Sequence, residues 1–172
     1  EFRIIIKMIR KARVNDLQEI LTIKNDAVQY LQQLNIDQWQ CGYPDKEDFI
    51  KDINLEQLYV VSNQQDKIIA FCCLSFNPES NYSQIKWNSD SYCVIHRFAI
   101  AQNERGTGVA KNIVAQLIQL AKAQQVQSVR TDTHQKNLPM KKLMIKCGFK
   151  EIGVLQLNCP GDRERIALEM II

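Results

Sequence analysis

A strand, a glycine-rich turn and an amphipathic helix follow one another between residues 92 and 121. The run from Tyr92 to Ile100 is apolar and rich in β-branched residues, which predicts a buried strand. Apolar residues then recur at helical spacing from Val109 to Ala121. The turn between them contains Gly106 and Gly108. A helix that follows a buried strand this closely packs back on the sheet, so the pattern favours an α/β fold.

The remaining pattern predicts a single domain over residues 8–172. Asn15 and Gln18 have the spacing of a capping box ahead of a first helix that continues to Leu34, and Gly148 stands where a left-handed residue ends a helix. The other predicted elements are a short strand at 9–12, a helix at 45–56, a hairpin at 58–62 and 67–76, a polar connection at 77–90, a strand at 126–133, a helix at 139–147 and an antiparallel pair at 152–157 and 163–172. We therefore expect an α/β (α+β) domain with a mixed, mostly antiparallel, twisted sheet flanked by helices. Residues 1–7 are either an extension added for expression or an extra edge strand.

Composition excludes several classes of protein. Of the 172 residues, 45% are hydrophobic and 24% are charged, which excludes disorder and low complexity. No apolar stretch is long enough to span a membrane, so we expect no membrane association. The six cysteines form no CxxC pair and mostly lie in apolar runs, which favours buried, reduced thiols and a cytoplasmic location. With only two histidines and no Cys/His cluster, we expect no metal site.

The net charge of +3 is unevenly distributed along the chain. Residues 97–150 contain ten lysines and arginines against two acids, a net charge of +8 that leaves −5 for the rest. A basic segment within an otherwise acidic chain indicates an anionic partner for that segment.

The turn at residues 105–110 is a candidate anion site. Glycines allow close approach of the backbone, and the first N–H groups of a helix have no partner within the helix, so a phosphate there would gain hydrogen bonds and a favourable helix dipole. The turn is not a P-loop, since no Gly-Lys-Ser/Thr follows, and it is not GxGxxG.

Two motifs together resemble the GCN5-related N-acetyltransferase (GNAT) family. The first is Arg-x-x-Gly-x-Ala at 105–110 after a strand that ends in Phe98-Ala99-Ile100, and the second is Asn137-x-Pro139-Met140 followed by Lys146-Cys147-Gly148-Phe149. The resemblance covers residues 92–155, and the order of elements agrees with it over the rest of the chain.

The resemblance implies acetyl-CoA as the co-substrate. In similar proteins the pyrophosphate binds the amides of the turn, here Arg105, Gly106, Thr107, Gly108, Val109 and Ala110. The pantetheine pairs with the strand backbone at Phe98, Ala99 and Ile100, and Asn137 matches a position that contacts the pantetheine or holds its loop.

The reaction needs a base, because an alkylammonium has a pKa of about 10.4. His96 is the candidate: it lies one strand period before Phe98, so we expect both on one face, where similar proteins often have a glutamate. The alternative is a structural histidine bonded within the sheet. A backbone N–H freed by a bulge near Phe98 to Ile100 could polarise the thioester carbonyl.

The position of the leaving-group acid departs from the family. Similar proteins commonly have a tyrosine where this chain has Met144, which donates no proton and is expected to pack against the cofactor arm. Tyr92, Tyr43 and Asp132 are possible substitutes, although water suffices for a thiol of pKa about 8.5.

The acceptor is expected to enter over the first two helices. Trp39, Tyr43 and Phe49 are candidate walls of its pocket. Residues 36–57 have a net charge of −4, which indicates either a lip that attracts a cationic amine or a solvated helix face.

We therefore expect an N-acetyltransferase, monomeric or homodimeric, for a primary amine of a small molecule or peptide. The alternative is a CoA-binding regulatory module that keeps the fold without turnover. Nucleic-acid binding is disfavoured because the lysines are scattered and have no aromatic platform among them.

Overall fold

A seven-stranded sheet forms the centre of the molecule. The computed structural model describes residues 8–172, and the expectations for residues 1–7 lie outside that range. The strands run in the spatial order β1-β2-β3-β4-β5-β7-β6, and every pair is antiparallel except β4 with β5. The strands are β1 (Arg10–Lys11), β2 (Leu58–Ser62), β3 (Ile68–Ser75), β4 (Tyr92–Ile100), β5 (Ser128–His134), β6 (Lys150–Gln156) and β7 (Glu164–Ile171). The predicted mixed, mostly antiparallel sheet is confirmed.

Four helices cover the two faces of this sheet. They are α1 (Leu17–Gln33), α2 (Lys46–Asn54), α3 (Val109–Ala123) and α4 (Leu138–Lys146). The apolar stripes of α1 and α2 pack with one face of the β2–β4 part of the sheet, and those of α3 and α4 pack on the opposite face. No helix within residues 8–172 combines the length and the apolar character needed to cross a bilayer.

The predicted elements are all present, with small shifts at their ends. The helix predicted to reach residue 56 ends at Asn54, because Glu56 has a left-handed φ of 54°. Gly148 has the predicted left-handed backbone: its N–H donates to Ile145, and that of Phe149 donates to Met144, as in a Schellman motif.

The predicted N-cap at Asn15 is wrong. A short 3-10 turn at Val14–Asp16 leads into α1, and the Asp16 carboxylate accepts the N–H of Arg13 at 2.7 Å. The same carboxylate forms two hydrogen bonds, at 2.8 and 2.9 Å, with the guanidinium of Arg10 in β1. The turn therefore begins two residues earlier than the sequence pattern predicts, since Asp16 binds both the backbone and a strand residue.

The cysteines divide into a sealed group and an accessible group. Cys72, Cys73 and Cys93 are completely buried in the sheet, and burial raises the pKa of Cys73 and Cys93 to about 12. Cys41 is exposed, and Cys147 and Cys159 are partly exposed. All six thiols are free.

Candidate functional site

The two parallel strands diverge to form a cleft. β4 and β5 pair only through Tyr92–Val94 and Ser128–Arg130, although both strands continue beyond that ladder. The Thr131 hydroxyl donates to the Ile95 carbonyl at 3.0 Å, where the strands part. A cavity of about 1210 Å³ opens beyond this point. Among residues 8–172, the edge of β4 that faces the cleft therefore has no neighbouring strand over its second half.

The strand beside the cleft contains a β-bulge. Ala99 pairs with Phe71 and His96 pairs with Cys73. Between these two pairs β4 advances by three residues and β3 by only two, so β4 contains one extra residue. Arg97, at the bulge, has a left-handed φ of 47°. A bulge that re-aims side chains and interrupts the ladder is common next to active sites, and this is the bulge expected near Phe98.

The bulge overturns one expectation about His96. His96 pairs with Cys73, whose side chain belongs to the core beneath α1 and α2, whereas Phe98 packs in the core beneath α3 and α4. The two residues therefore lie on opposite faces of the sheet. Strict alternation predicts a shared face, and the extra residue reverses that prediction.

The glycine turn lies at the mouth of the same cavity. Gly106 and Gly108 have φ values of 77° and 90°, and a Cβ added to either would meet no atom of the described part of the chain within 4 Å. Gly108 is the N-cap of α3 and provides no side-chain cap, so the first N–H groups of the helix have no intrahelical partner. The Arg105 Nε donates to the Ile100 carbonyl at 3.3 Å, and its guanidinium lies 4.4 Å from the centre of the Tyr30 ring.

Most of the predicted cofactor residues line this cavity. Thr107 and Val109 do not, because the Thr107 hydroxyl donates back to the Glu104 carbonyl at 2.6 Å and Val109 is buried in the core. The predicted residues that do line it are Phe98, Ala99, Ile100, Arg105, Gly106, Gly108, Ala110, Asn137 and Met144.

The start of α4 and the end of β5 form the opposite wall. The Asn137 side chain accepts the N–H of Met140 at 3.3 Å and so caps α4. Met144 is completely buried, which agrees with a packing role. Thr133, which sequence reasoning did not single out, lines the cavity with a buried hydroxyl that has no hydrogen-bond partner in residues 8–172. An unsatisfied buried hydroxyl beside a cavity is a candidate ligand contact.

His96 faces the cavity from the α1–α2 side. Burial, aided by the neighbouring Arg97 charge, lowers its pKa to about 4, so the imidazole is neutral at pH 7. Its Nε2 lies 3.7 Å from the Glu79 carboxylate. Glu79 comes from the polar connection before β4 and was not predicted from the sequence, because nothing in a polar loop marks which acid will face the strand.

Tyr92 lies outside the cavity. Its hydroxyl accepts the N–H of Glu79 at 3.2 Å, and the Arg130 guanidinium lies 3.7 Å from the centre of its ring. Tyr92 stands at the start of β4, whereas the cleft opens farther along the strand. It therefore contacts the loop that presents Glu79 rather than the cavity itself.

The second helix is tied to the bulge by an ion pair. Asp52 accepts two hydrogen bonds of 2.7 Å from the Arg97 guanidinium, which also donates to the Tyr43 hydroxyl. Tyr43 and Trp39 both line the cavity, and their role in binding the acceptor stays a prediction, whereas Phe49 is completely buried in the core.

Several charges of the predicted acidic and basic segments have partners. In the acidic segment, Asp45 and Asp48 form the capping box of α2, and Glu56 pairs with Lys11. In the basic segment, Arg97 and Arg130 pair with Asp52 and Glu169. The basic residues that line the cavity near the turn and α4 are Arg105, Lys111, Lys142 and Lys146. The positive field at the turn is therefore smaller than the segment's net charge suggests.

Three loops meet at His134, the last residue of β5. Its Nδ1 accepts the N–H of Lys136 at 3.0 Å, so its proton is on Nε2 and is donated to Asp162 at 2.8 Å. The Asp37 carboxylate lies 4.0 Å from the same nitrogen, and these three side chains have the spacing of a metal site. The backbone donor at Nδ1 favours a hydrogen-bonded clamp over metal ligation, which needs a free Nε2 lone pair.

The comparisons with known proteins agree on one family. The profile of the Acetyltransferase (GNAT) family matches residues 28–149. A comparison with curated protein sequences finds no match.

Solved structures resemble the chain over almost its whole length. A GNAT-family acetyltransferase from Streptococcus agalactiae is 29% identical, with a TM-score of 0.87 over 97% of this chain and 95% of that one. A GNAT-family acetyltransferase from Listeria monocytogenes is 16% identical, with a TM-score of 0.74 over 96% of this chain and 94% of that one. A ribosomal-protein-alanine N-acetyltransferase from Brucella melitensis is 22% identical, with a TM-score of 0.70 over 96% of this chain and 100% of that one.

The last two likenesses show the fold alone, but the family profile covers well over half of the residues. With the cleft between β4 and β5, the bulge and the glycine turn, this match establishes that the chain belongs to the acetyltransferase (GNAT) family.

Proposed function

We propose that the chain is an acetyl-CoA-dependent N-acetyltransferase that transfers the acetyl group directly to a primary amine. The observation that carries the proposal is the cleft between β4 and β5, which opens beside an uncapped helix N-terminus. The cleft offers unpaired strand backbone to the pantetheine amides, and the turn offers N–H groups to the pyrophosphate.

The residues present fit acetyl-CoA in two respects. Gly106 and Gly108 leave open space where any side chain would approach the phosphates. Thr133 provides a buried hydroxyl without a partner among the described residues, and it lines the same cavity as Asn137. Bound acetyl-CoA supplies an activated acyl group and a thiolate leaving group.

The chain's own contribution to the chemistry begins with the first proton of the acceptor ammonium. The neutral imidazole of His96 accepts that proton before the nitrogen attacks the thioester carbon, and the Glu79 carboxylate stabilises the imidazolium. The new N–C bond replaces the C–S bond, the second proton of the nitrogen passes to solvent, and a backbone N–H at the bulge polarises the carbonyl oxygen.

The thiolate leaves without help from a side-chain acid. The resemblance to similar proteins puts Met144 where they commonly have a tyrosine, and a thioether donates no proton, so water protonates the departing sulfur. A thiol of pKa about 8.5 leaves readily at neutral pH, so the loss of an acid costs little.

Thiol release from acetyl-CoA, measured with a panel of primary amines, tests the proposal. We expect release that depends on at least one amine, together with acetyl-CoA binding in calorimetry. Met144 also favours a second candidate, a CoA-binding regulator without turnover. Binding without thiol release for every amine, including small-molecule and peptide amines, would support the regulator, and absence of acetyl-CoA binding would contradict both.

A further inference from the structure

Arg165, at the start of β7, is a buried arginine in the wall of the cavity. It is 3% exposed and lines the cavity from β7, whereas the glycine turn follows β4. Its Nη1 donates to the carbonyls of Asp162 and Glu164, each at 2.8 Å. Its Nε is buried and, within residues 8–172, has no hydrogen-bond partner. The backbone therefore holds the guanidinium from one side and leaves the Nε edge unused.

Arg165 belongs to the same face of the sheet as His96. Val94 and Ala167 pack in one cluster, and His96 and Arg165 each lie two residues away along their strands. The pairing of β5 with β7 sets Asp132 opposite Ala167 and His134 opposite Arg165. The guanidinium thus reaches the cavity from the side where His96 and Glu79 lie, away from α3 and α4.

Charges of both signs line this side of the cavity. Glu79 and Asp132 are carboxylates, and the Asp132 oxygen accepts the Tyr82 hydroxyl at 2.8 Å. Burial raises the pKa of Asp132, and Arg165 partly offsets that effect. The ammonium group of an acceptor would meet the carboxylates near His96. An anionic group of the same acceptor would meet the guanidinium of Arg165.

The unused edge of Arg165 distinguishes among possible acceptors. The Nε edge of a guanidinium has two parallel donors that match the two oxygens of a carboxylate. A simple alkylamine or an internal peptide lysine brings no anion to this edge and leaves a buried donor unsatisfied, which is unfavourable.

We propose that the acceptor is an amino acid, or a closely related small amine that carries a carboxylate, and that Arg165 binds this carboxylate. The inference rests on the proposed function and narrows its substrate class. The amine is directed to His96 and Glu79, while the carboxylate lies against the guanidinium.

Wild-type protein tests the inference with matched acceptors. The twenty free L-amino acids are assayed for thiol release from acetyl-CoA, and each active one is compared with its carboxamide and its decarboxylated amine. We expect kcat/KM to fall at least about 100-fold when the carboxylate is removed, the loss expected for a buried charge-assisted pair. Equal activity on the three forms, or activity on peptide and alkyl amines only, would overturn the inference.

Two variants locate the recognition at Arg165. Arg165→Gln is expected to raise the KM for the amino acid at least about 30-fold. The KM for the corresponding carboxamide and the affinity for acetyl-CoA should not change. Arg163 is an exposed residue on the same hairpin, so Arg163→Gln is the control and is expected to change neither KM value nor the affinity for acetyl-CoA. If Arg165→Gln unfolds, Arg165→Lys keeps the charge but not the paired donors, and the comparison of acceptors on wild-type protein stands alone.

The experiments distinguish failure of the proposed function from failure of the role of Arg165. Loss of acetyl-CoA binding, or of all turnover, in wild-type protein contradicts the proposed function. Turnover that is indifferent to the carboxylate, with acetyl-CoA binding intact, contradicts only the role of Arg165.

Discussion

At the scale of single residues, Gly108 determines whether phosphates can approach the start of α3. Its φ of 90° is strained for any side chain, and the space around it is open. We expect Gly108→Glu to weaken acetyl-CoA binding at least about 100-fold, since the new carboxylate repels the phosphates and blocks charge-assisted hydrogen bonds. Calorimetry measures the affinity.

Gly42→Glu is the matched control, because Gly42 also has a left-handed φ, of 85°, and open space around it. It should lose similar stability but bind acetyl-CoA normally. Equal affinities for wild-type protein and Gly108→Glu would refute the placement of the phosphates.

Two predictions concern His96, and both depend on its imidazole being neutral at pH 7. If it is the base, His96→Gln should slow thiol release about 100-fold at pH 7 and less than about 10-fold near pH 9.5, where more of the amine is already neutral. A pH–rate profile parallel to that of wild-type protein would contradict the role.

The same residue should make the fold sensitive to acid. Its pKa of about 4 in the folded protein lies below the ordinary value of about 6.5, so the stability it contributes is complete above pH 6.5 and is lost as the pH falls towards 4. Between pH 7 and pH 5, we expect wild-type protein to lose about 2 kcal/mol more unfolding free energy than His96→Gln. Urea unfolding at both pH values gives the difference, and equal losses would contradict the lowered pKa of the imidazole.

Gly108 and Asn137 lie beside the cavity and Met144 is buried, while their contacts with the cofactor stay predictions. Sequence reasoning at the residue scale could name these positions because motifs fix the backbone there. It failed for the faces of His96 and Phe98, because an inserted residue in β4 leaves no mark in the apolar pattern. Glu79 and Arg165 were missed because they face the cavity only through long-range packing.

At the scale of secondary-structure elements, the Asp52–Arg97 ion pair fixes α2 against the bulge of β4. Both side chains are mostly buried, with exposed fractions of 2% and 14%. Asp52→Asn leaves the guanidinium without its counter-charge, and we expect a loss of about 3 kcal/mol in the free energy of unfolding. Urea unfolding measures this loss.

Glu47→Gln, an exposed change on the same helix, serves as the control and should cost less than about 0.5 kcal/mol. A comparable loss in the two variants would show that the pair does not anchor the helix. Periodicity predicted α2 itself, but no local pattern predicted its ion pair with a strand more than forty residues away.

At the scale of the whole molecule, the cleft divides the sheet into two parts, β1–β4 and β5–β7–β6, which share only a short parallel ladder. A ligand that contacts both sides adds interactions between them. At a concentration of 100 times its Kd, acetyl-CoA should stabilise the fold by about 2.7 kcal/mol. For a chain of this size we expect the Tm to rise by about 5–10 °C.

Differential scanning calorimetry tests this expectation, with Gly108→Glu as a variant whose Tm should rise by less than about 2 °C at the same ligand concentration. An equal shift in both proteins would place the ligand elsewhere. The order of elements and the family were predictable because they depend on periodicity and on two motifs. The depth of the cleft was not, since it depends on how far two strands remain paired.

The distribution of thiols gives the protein a built-in chemical reporter. Cys72, Cys73 and Cys93 are sealed in the sheet, whereas Cys41 and Cys159 belong to the wall of the cavity. Maleimide alkylation in the native state should therefore label Cys41 and Cys159 in the wall, together with the partly exposed Cys147 outside it, and spare the sheet. Slower labelling of Cys41 and Cys159 in the presence of an acceptor would show that the acceptor binds in the cavity, before any product is identified.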